Sequence, residues 1–251
     1  MTKSLDFHEC LSHIDARSAA LRTAIADAPD LGARVPACPD WALRDLVEHL
    51  GEVHRSWAAV VVAGPSDTPP SEAELAIGSP GDDLIAWSAE STGLLLAALR
   101  ETGPDQGCWG WWGASEAPLT SGSVARHQVH EAAVHAYDAQ EAAGRPAAVP
   151  EAVALDGVAE FLTVVLGAAG PWPHRPARIA VRADTGPQWT VDLTAAGAAV
   201  SNGAEGVPAT TLHGPASDLL LALYRRTPLD RVRIEGDRAL AEEVLAWPDM
   251  D

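Results

Sequence analysis

Two side chains on one predicted helix have the types and the spacing of ligands for a single metal ion. The segment RHQVHEAAVHAYDA places Glu131 and His135 four residues apart, so both lie on one helix face with about 5–6 Å between their Cβ atoms. His49 belongs to another predicted helix, and its spacing from Leu46 and Val53 puts it beside the apolar face of that helix. Two imidazoles and a carboxylate are a ligand set of catalytic zinc and also of non-haem iron. The pattern predicts a metal centre made of His49, Glu131 and His135, with zinc as the first choice.

A metal-free interpretation of the same helix stays open. His127, Glu131 and His135 recur every four residues and could form an ordinary polar face, and a core histidine is usually only hydrogen-bonded. Alanine and valine surround Glu131, however, and a buried carboxylate without a partner is costly. A cation would remove that cost. Asp138, three residues after His135, could orient the imidazole or could be a solvated acid near the helix end.

The elements that must position these residues are predicted from apolar periodicity. Helical spacing predicts four helices, at about 5–26, 41–64, 82–100 and 123–143. Asp40 is expected to cap the second of them. Four helices joined by loops of these lengths predict an antiparallel four-helix bundle, in which inward-facing side chains can converge on a site.

The chain changes character after Gly144, where Pro146 and Pro150 break the helical pattern. Further on, the pattern predicts a helix at 152–168, strands at 178–182, 189–193, 209–213 and 231–235, and a helix at 219–225. The predicted fold class is therefore α+β, with a domain boundary near residue 148. Residues 1–148 form the metal-binding helical bundle, and residues 149–251 form a smaller C-terminal α/β domain.

The composition argues against several classes of partner and compartment. The formal net charge is −18, and Lys3 is the single lysine, so nucleic acid and anionic membrane surfaces are poor partners. The sequence shows no basic and apolar leader and no run of roughly 18 apolar residues. We therefore expect a cytoplasmic protein. A monomer or a weak homodimer is a separate expectation that these observations do not decide.

The three cysteines argue against cysteine chemistry of the protein's own. Cys10, Cys38 and Cys108 are far apart and form no CxxC pair, which disfavours both a disulfide framework and a cysteine zinc cluster. No histidine or basic residue flanks Cys108, which is interpreted as structural. If the protein uses thiol chemistry, the thiol is expected to come from outside.

Three segments carry a resemblance to a known family. CPDWALRDLVEHLGEVHRSW and HEAAVHAYDA resemble the two metal motifs of the mycothiol-dependent maleylpyruvate isomerase family, a branch of the DinB-like bundles. LHGPASDLLLALYRRTPLDRVRIEGD resembles the small second domain of that family, where an arginine after the apolar helix is expected to face the active site. Arg226 matches that arginine best, and Arg225 stands where the family often has glycine. The segment from Pro65 to Pro118 is unmatched, and it is where substrate identity is expected to lie.

The resemblance implies an enzyme with two small-molecule partners. Its co-substrate would be mycothiol, whose sulfur is expected to enter the open metal position as a thiolate and attack a small electrophile, in an S-transferase or a cis–trans isomerase. Arg226 is expected to hold a carboxylate of the substrate or of mycothiol, with a surface ion pair as the alternative. Trp112, with Trp109 and Trp111, could line the pocket and contact the cofactor, or could be part of ordinary packing between the bundle and the second domain.

Two other functions stay open for this sequence. A metal-dependent hydrolase would use water in place of mycothiol at the same metal position. A non-catalytic DinB-like binding module would keep the helices and the ligands without turnover. Intact ligand positions favour the enzyme.

Overall fold

The protein is described here by a computed structural model, which covers residues 4–75 and 77–250. It divides into two compact units, one made of Leu5–Gly110 and Pro118–Val149, the other mainly of Trp111–Ala117 and the chain from Pro150 onward. The first unit is helical and the second contains a five-stranded sheet. This confirms the predicted class of a helical N-terminal region followed by a C-terminal sheet domain. The sequence had assigned Trp111–Ala117 to the helical part.

The helical unit is built on four long helices that pack against one another. Its elements are α1 (Phe7–Asp27), β1 (Arg34–Val35), β2 (Cys38–Ala42), α2 (Leu43–Ala63), α3 (Glu72–Leu75), α4 (Leu84–Thr102) and α5 (Ser121–Ala142). The long helices lie close to the predicted ranges, because each carries a continuous buried face. No helix in the described part of the chain is long and apolar enough to cross a membrane.

The start of α2 differs from the prediction. Asp40 lies within β2 and does not cap the helix. Instead α2 begins after Ala42, whose backbone N–H donates to the Asp45 carboxylate at 2.8 Å. Pairing of Ala42 with Arg34 across the two-stranded sheet keeps residues 38–42 extended. That pairing is a non-local contact, so the local capping signal at Asp40 could not reveal it.

Contacts between α2 and α4 show that these two helices run in the same direction. The Arg55 guanidinium donates to Ser91 Oγ at 2.7 Å, and about one turn earlier Gly51 faces the indole ring of Trp87. The contacts therefore advance together along both helices. Residues 64–83 connect them as a long crossover, which the prediction of an antiparallel bundle did not include.

Contacts between α2 and α5 show the opposite orientation. His49 lies against Glu131, whereas Trp57, further along α2, lies against His127, which comes earlier in α5. The two helices are therefore antiparallel neighbours. The predicted metal ligands lie on their facing sides.

The second unit places helices beside a mixed sheet. Its elements are α6 (Glu151–Glu160), a π-helical turn (Phe161–Val165), α7 (Leu166–Ala168), β3 (Ala177–Ala183), β4 (Gln188–Thr194), β5 (Gly197–Asn202), β6 (Thr210–Gly214), α8 (Ala216–Leu223), β7 (Arg233–Gly236) and α9 (Arg238–Ala246). The strand order is β5-β4-β3-β6-β7, with β3 and β6 parallel and the other neighbours antiparallel. The sequence analysis missed β5 and α9.

Candidate metal centre

The structure brings His49, Glu131 and His135 together at the interface of α2 and α5. One ligand atom from each residue lies within 4.8 Å of the other two. Glu131 Oε1 is 3.2 Å from Nε2 of His49 and 3.2 Å from Nε2 of His135. Helical spacing explains the pair on α5, since residues four apart share a face. The antiparallel packing of α2 supplies the third side chain.

Exposure of the three side chains is uneven. His135 is 6% exposed, whereas Glu131 and His49 are 22% and 34% exposed. The cluster is therefore closed on the His135 side and reachable by solvent on the His49 side. A small molecule could approach the three ligand atoms from the His49 side without unfolding of the helices.

Electrostatics couple the carboxylate to both imidazoles. Burial alone would raise the pKa of the Glu131 carboxyl, but His135 and His49 outweigh it and hold that pKa well below its usual range. Burial also acts to lower the pKa of His135, and here Glu131 and Asp138 outweigh it and raise the pKa to about 9. The site therefore stabilises positive charge between its carboxylates.

Asp138 is the hydrogen-bond partner of His135. Its Oδ2 lies 2.9 Å from His135 Nδ1, and the residue is fully buried. The alternative of a solvated acid at the helix end is therefore excluded. The bond keeps a proton on Nδ1 and fixes the ring, so that Nε2, which lies 3.2 Å from Glu131 Oε1, would be the atom that gives up its proton to bind a metal, as in carboxylate–histidine pairs at metal sites.

Trp41 covers one side of the cluster. Its ring centroid is 4.6 Å from that of His49 and 6.1 Å from that of His135. Trp41 belongs to β2, so the pairing of β1 with β2 that sets the start of α2 also positions the indole ring beside the cluster. The indole is rigid and apolar, and it occupies the space on that side of the imidazoles.

A second polar group next to the cluster was missed by the sequence analysis. His54 is 1% exposed, and its Nδ1 lies 3.3 Å from Thr92 Oγ1, which also accepts a hydrogen bond from Arg22 at 3.0 Å. Burial lowers the pKa of His54 to about 3, so the ring is neutral. The available signal was its spacing: His54 comes four residues after Leu50, in the middle of the apolar face of α2.

Arg226 and Trp112 belong to the second unit, and their predicted roles stay predictions. Arg226 is partly buried and its Nη1 donates to the carbonyl of Tyr224 at 2.9 Å. Trp112 is 1% exposed and packs edge-on against Trp111 at 5.5 Å. Arg225 has a φ of 58°, a left-handed conformation in which glycine is favoured. That conformation explains why glycine suits this position.

Cys108 is poorly suited to be a nucleophile. It is 3% exposed, and burial raises the pKa of its thiol to about 11. The protonated thiol is unreactive at neutral pH, in agreement with the structural interpretation.

The donor set fits a divalent cation. Two imidazole nitrogens and a carboxylate oxygen match the ligands of zinc sites that keep a position open for substrate. Within residues 4–75 and 77–250, this is the one cluster of three or more such side chains with ligand atoms this close together. Asp138 supplies the outer hydrogen bond that such sites require.

Fold and site together define a two-part protein whose helical unit carries a candidate His₂Glu metal centre. The sequence model of the mycothiol maleylpyruvate isomerase N-terminal domain matches residues 11–140, and that of the MDMPI C-terminal domain matches residues 152–243. The first match alone spans more than half of the chain. The chain therefore belongs to the mycothiol maleylpyruvate isomerase family.

Solved structures show the same fold. A crystal structure of the mycothiol-dependent maleylpyruvate isomerase aligns with a TM-score of 0.60 at 16% sequence identity, covering 92% of this chain and 93% of that one. A histidine-to-alanine mutant of that enzyme aligns with a TM-score of 0.61 at the same identity and coverage. A search of curated proteins found no match.

Proposed function

We propose that this protein is a metal-dependent enzyme that uses mycothiol as a thiol co-substrate against a small electrophile. It would act as an S-transferase or as a cis–trans isomerase of the maleylpyruvate isomerase type. The observation that carries the proposal is the convergence of His49, Glu131 and His135, whose ligand atoms lie within 4.8 Å of one another. Family membership is the reason for proposing mycothiol as the thiol. The thiol would reach the cluster from its solvent-accessible side, at His49.

The three residues would hold the cation, and zinc is the metal that this donor set suits first. A bound divalent cation lowers the pKa of a coordinating thiol, so that the thiolate forms at neutral pH. Asp138 keeps His135 in the tautomer that offers Nε2 to the site, and Trp41 occupies the space on one side of the imidazoles.

The protein needs no nucleophile of its own in this scheme. The thiolate would add to one carbon of an electron-poor cis double bond, and the π electron pair would move to the activating carbonyl as an enolate; a proton taken up from solvent would then give the product of a transferase. In an isomerase, rotation about the carbon–carbon bond that was double, followed by expulsion of the same thiolate from the enolate, would give the trans product. We propose that Arg226 binds a carboxylate of either reactant and that Trp112 contacts the thiol. A reduced thiol co-substrate also suits the proposed cytoplasmic location.

Metal content tests the site directly. Elemental analysis of the purified protein is expected to find about one divalent ion per chain, and His49→Ala or His135→Ala is expected to abolish it. The matched control is His8→Ala, which removes an exposed histidine of α1 and should leave the content unchanged. Full metal content in both ligand variants would refute the site.

Mass spectrometry tests the chemistry. The metal-loaded protein is incubated with candidate electrophiles, with and without mycothiol, and adducts or isomers are expected only with the thiol. A variant with serine at positions 10, 38 and 108 should keep this activity if it folds. Thiol-free turnover of an ester or amide at full rate would instead show a hydrolase.

A further inference from the structure

Polar residues interrupt the buried faces of all four long helices in the helical unit. Ser18 of α1, His54 of α2, Thr92 of α4 and Gln128 of α5 are each at most 2% exposed. Buried polar groups are nearly always hydrogen-bonded in proteins. Yet the Ser18 hydroxyl, His54 Nε2 and both amide atoms of Gln128 bond to no residue in the described part of the chain. Such a concentration of unused hydrogen-bonding groups requires an explanation.

These groups lie next to the candidate metal centre. Two contacts between the antiparallel helices α2 and α5, at His49 with Glu131 and at Trp57 with His127, bracket His54 on one side and Gln128 on the other. His54 and Gln128 therefore share a level of the helix pair. The charges of Glu131, His135 and His49 all act on His54, in agreement with this placement.

Arg22 brings a cation to the same place. It lies one turn after Ser18 on α1, is partly buried, and donates to Thr92 Oγ1 at 3.0 Å. Within residues 4–75 and 77–250, this is the one hydrogen bond that the Arg22 side chain makes, and it does not go to a carboxylate. The charge of Asp15 acts on Arg22 without a direct bond between the two side chains. A guanidinium has five N–H donors, so most of them are unused.

The local charge favours an anion. The carboxylates of Glu131 and Asp138 are already engaged with the two imidazoles. A divalent cation at the centre would balance those two carboxylates, which leaves Arg22 with no carboxylate of the described residues bonded to it and only the charge of Asp15 acting on it. A carboxylate is the group that a guanidinium binds best, through two parallel N–H donors.

We propose that Arg22, His54 and Gln128 form a buried subsite that binds a carboxylate of the electrophilic substrate beside the metal centre. Arg22 supplies the charge, the Gln128 amide donates one further hydrogen bond, and Thr92 fixes the ring of His54. The single proton of the Thr92 hydroxyl has two acceptors within reach, the Ser88 carbonyl at 3.1 Å and His54 Nδ1 at 3.3 Å. In the arrangement in which it is donated to Nδ1, the proton of His54 is on Nε2 and can be donated to the substrate. This inference rests on the proposed function. The subsite would make the enzyme selective for carboxylates over their esters.

Calorimetric titration with maleate, a small dicarboxylate, tests the subsite, and dimethyl maleate serves as its uncharged counterpart. We expect the zinc-loaded protein to bind maleate and not the ester. Arg22→Gln should weaken maleate binding by about tenfold or more, and Arg22→Lys by less, because a hydrogen bond to a charged group is strong. Arg100→Gln, on the exposed side of α4, is the matched control and should change nothing.

Gln128→Met separates binding from folding. It removes an amide that costs stability when unpaired, so the melting temperature should rise or hold while maleate affinity falls severalfold. Unchanged maleate affinity in both Arg22→Gln and Gln128→Met would overturn the subsite. Metal content is measured in the same samples, so loss of the metal centre is recognised separately. Titration of chelator-treated protein with maleate then shows whether maleate binding still depends on Arg22 when no metal is bound.

Discussion

If the candidate centre binds zinc as proposed, the protonation of His135 makes that binding depend on pH. Glu131 and Asp138 raise its pKa to about 9 from an ordinary 6.5, and an imidazole must be neutral to bind a metal. Zinc must therefore displace a proton over this range. We expect apparent zinc affinity to rise with pH until about 9 and then to level off, with proton release measurable by calorimetry in two buffers. A flat profile would contradict the protonated state.

The same shift has a consequence for folding once the metal is removed. A raised folded-state pKa contributes stability that is fully present below the unfolded value of 6.5 and is lost as pH rises through about 9. Chelator-treated protein should therefore lose stability across this range, whereas zinc-loaded protein should not. Denaturant unfolding at a series of pH values measures both.

Asp138 is expected to act on the metal without touching it. Asp138→Asn keeps the volume but weakens the orienting bond to His135 Nδ1, so zinc affinity should fall by about 10–100-fold. Competition with a chromogenic chelator measures the change. Glu101→Gln, an exposed acid at the end of α4, is the control. Equal affinities for Asp138→Asn and wild type would assign Asp138 to folding alone.

At the scale of helices, the close approach of α2 and α4 depends on a single glycine. A Cβ placed on Gly51 would lie 2.0 Å from a ring carbon of Trp87, and the Arg55 guanidinium is 5.1 Å from the centroid of that ring. We expect Gly51→Ala to displace the indole and to destabilise the protein by about 1–3 kcal/mol. Gly93→Ala in α4, where a Cβ meets nothing within 4 Å, should be neutral or stabilising. Equal unfolding midpoints for both variants would contradict the tight contact.

The long helices could be predicted because their apolar spacing is a local property. The strand at Gly197–Asn202 was missed because its small residues, GAAVSN, show little alternation and depend on pairing with β4. The π-helical turn Phe161–Val165 lies inside a range that was predicted as one helix, since an extra residue per turn barely changes apolar periodicity. The prediction that Asp40 caps α2 was wrong because pairing of β2 with β1 overrides the capping preference of that residue.

The candidate site, like the fold, was predictable only where its residues follow a local pattern in the sequence. His49, Glu131 and His135 carry recognisable ligand types at recognisable spacing, and the structure brings them together. The group around His54 carries no such spacing, because Arg22 and Thr92 come from two other helices. Only the packing of three helices makes them neighbours.

At the scale of the whole molecule, the second unit is expected to serve substrate binding. If Arg226 holds a carboxylate of either reactant, Arg226→Ala should raise KM or lower kcat for carboxylate substrates while metal content stays normal. Arg182→Ala, an exposed arginine of β3, is the control in the same unit. Identical kinetics for both variants and wild type would favour the alternative interpretation, in which Arg226 forms only a surface ion pair.

The parallel course of α2 and α4 also shapes how such a protein can evolve. Residues 64–83 must travel back along the unit between these helices, and none of the candidate ligands lies in that stretch. Surface connections accept insertions and substitutions more readily than the elements they join. If the candidate centre binds a metal as proposed, related proteins can therefore differ widely in this connection while the three ligands stay in place, which would let substrate preference change without loss of the metal.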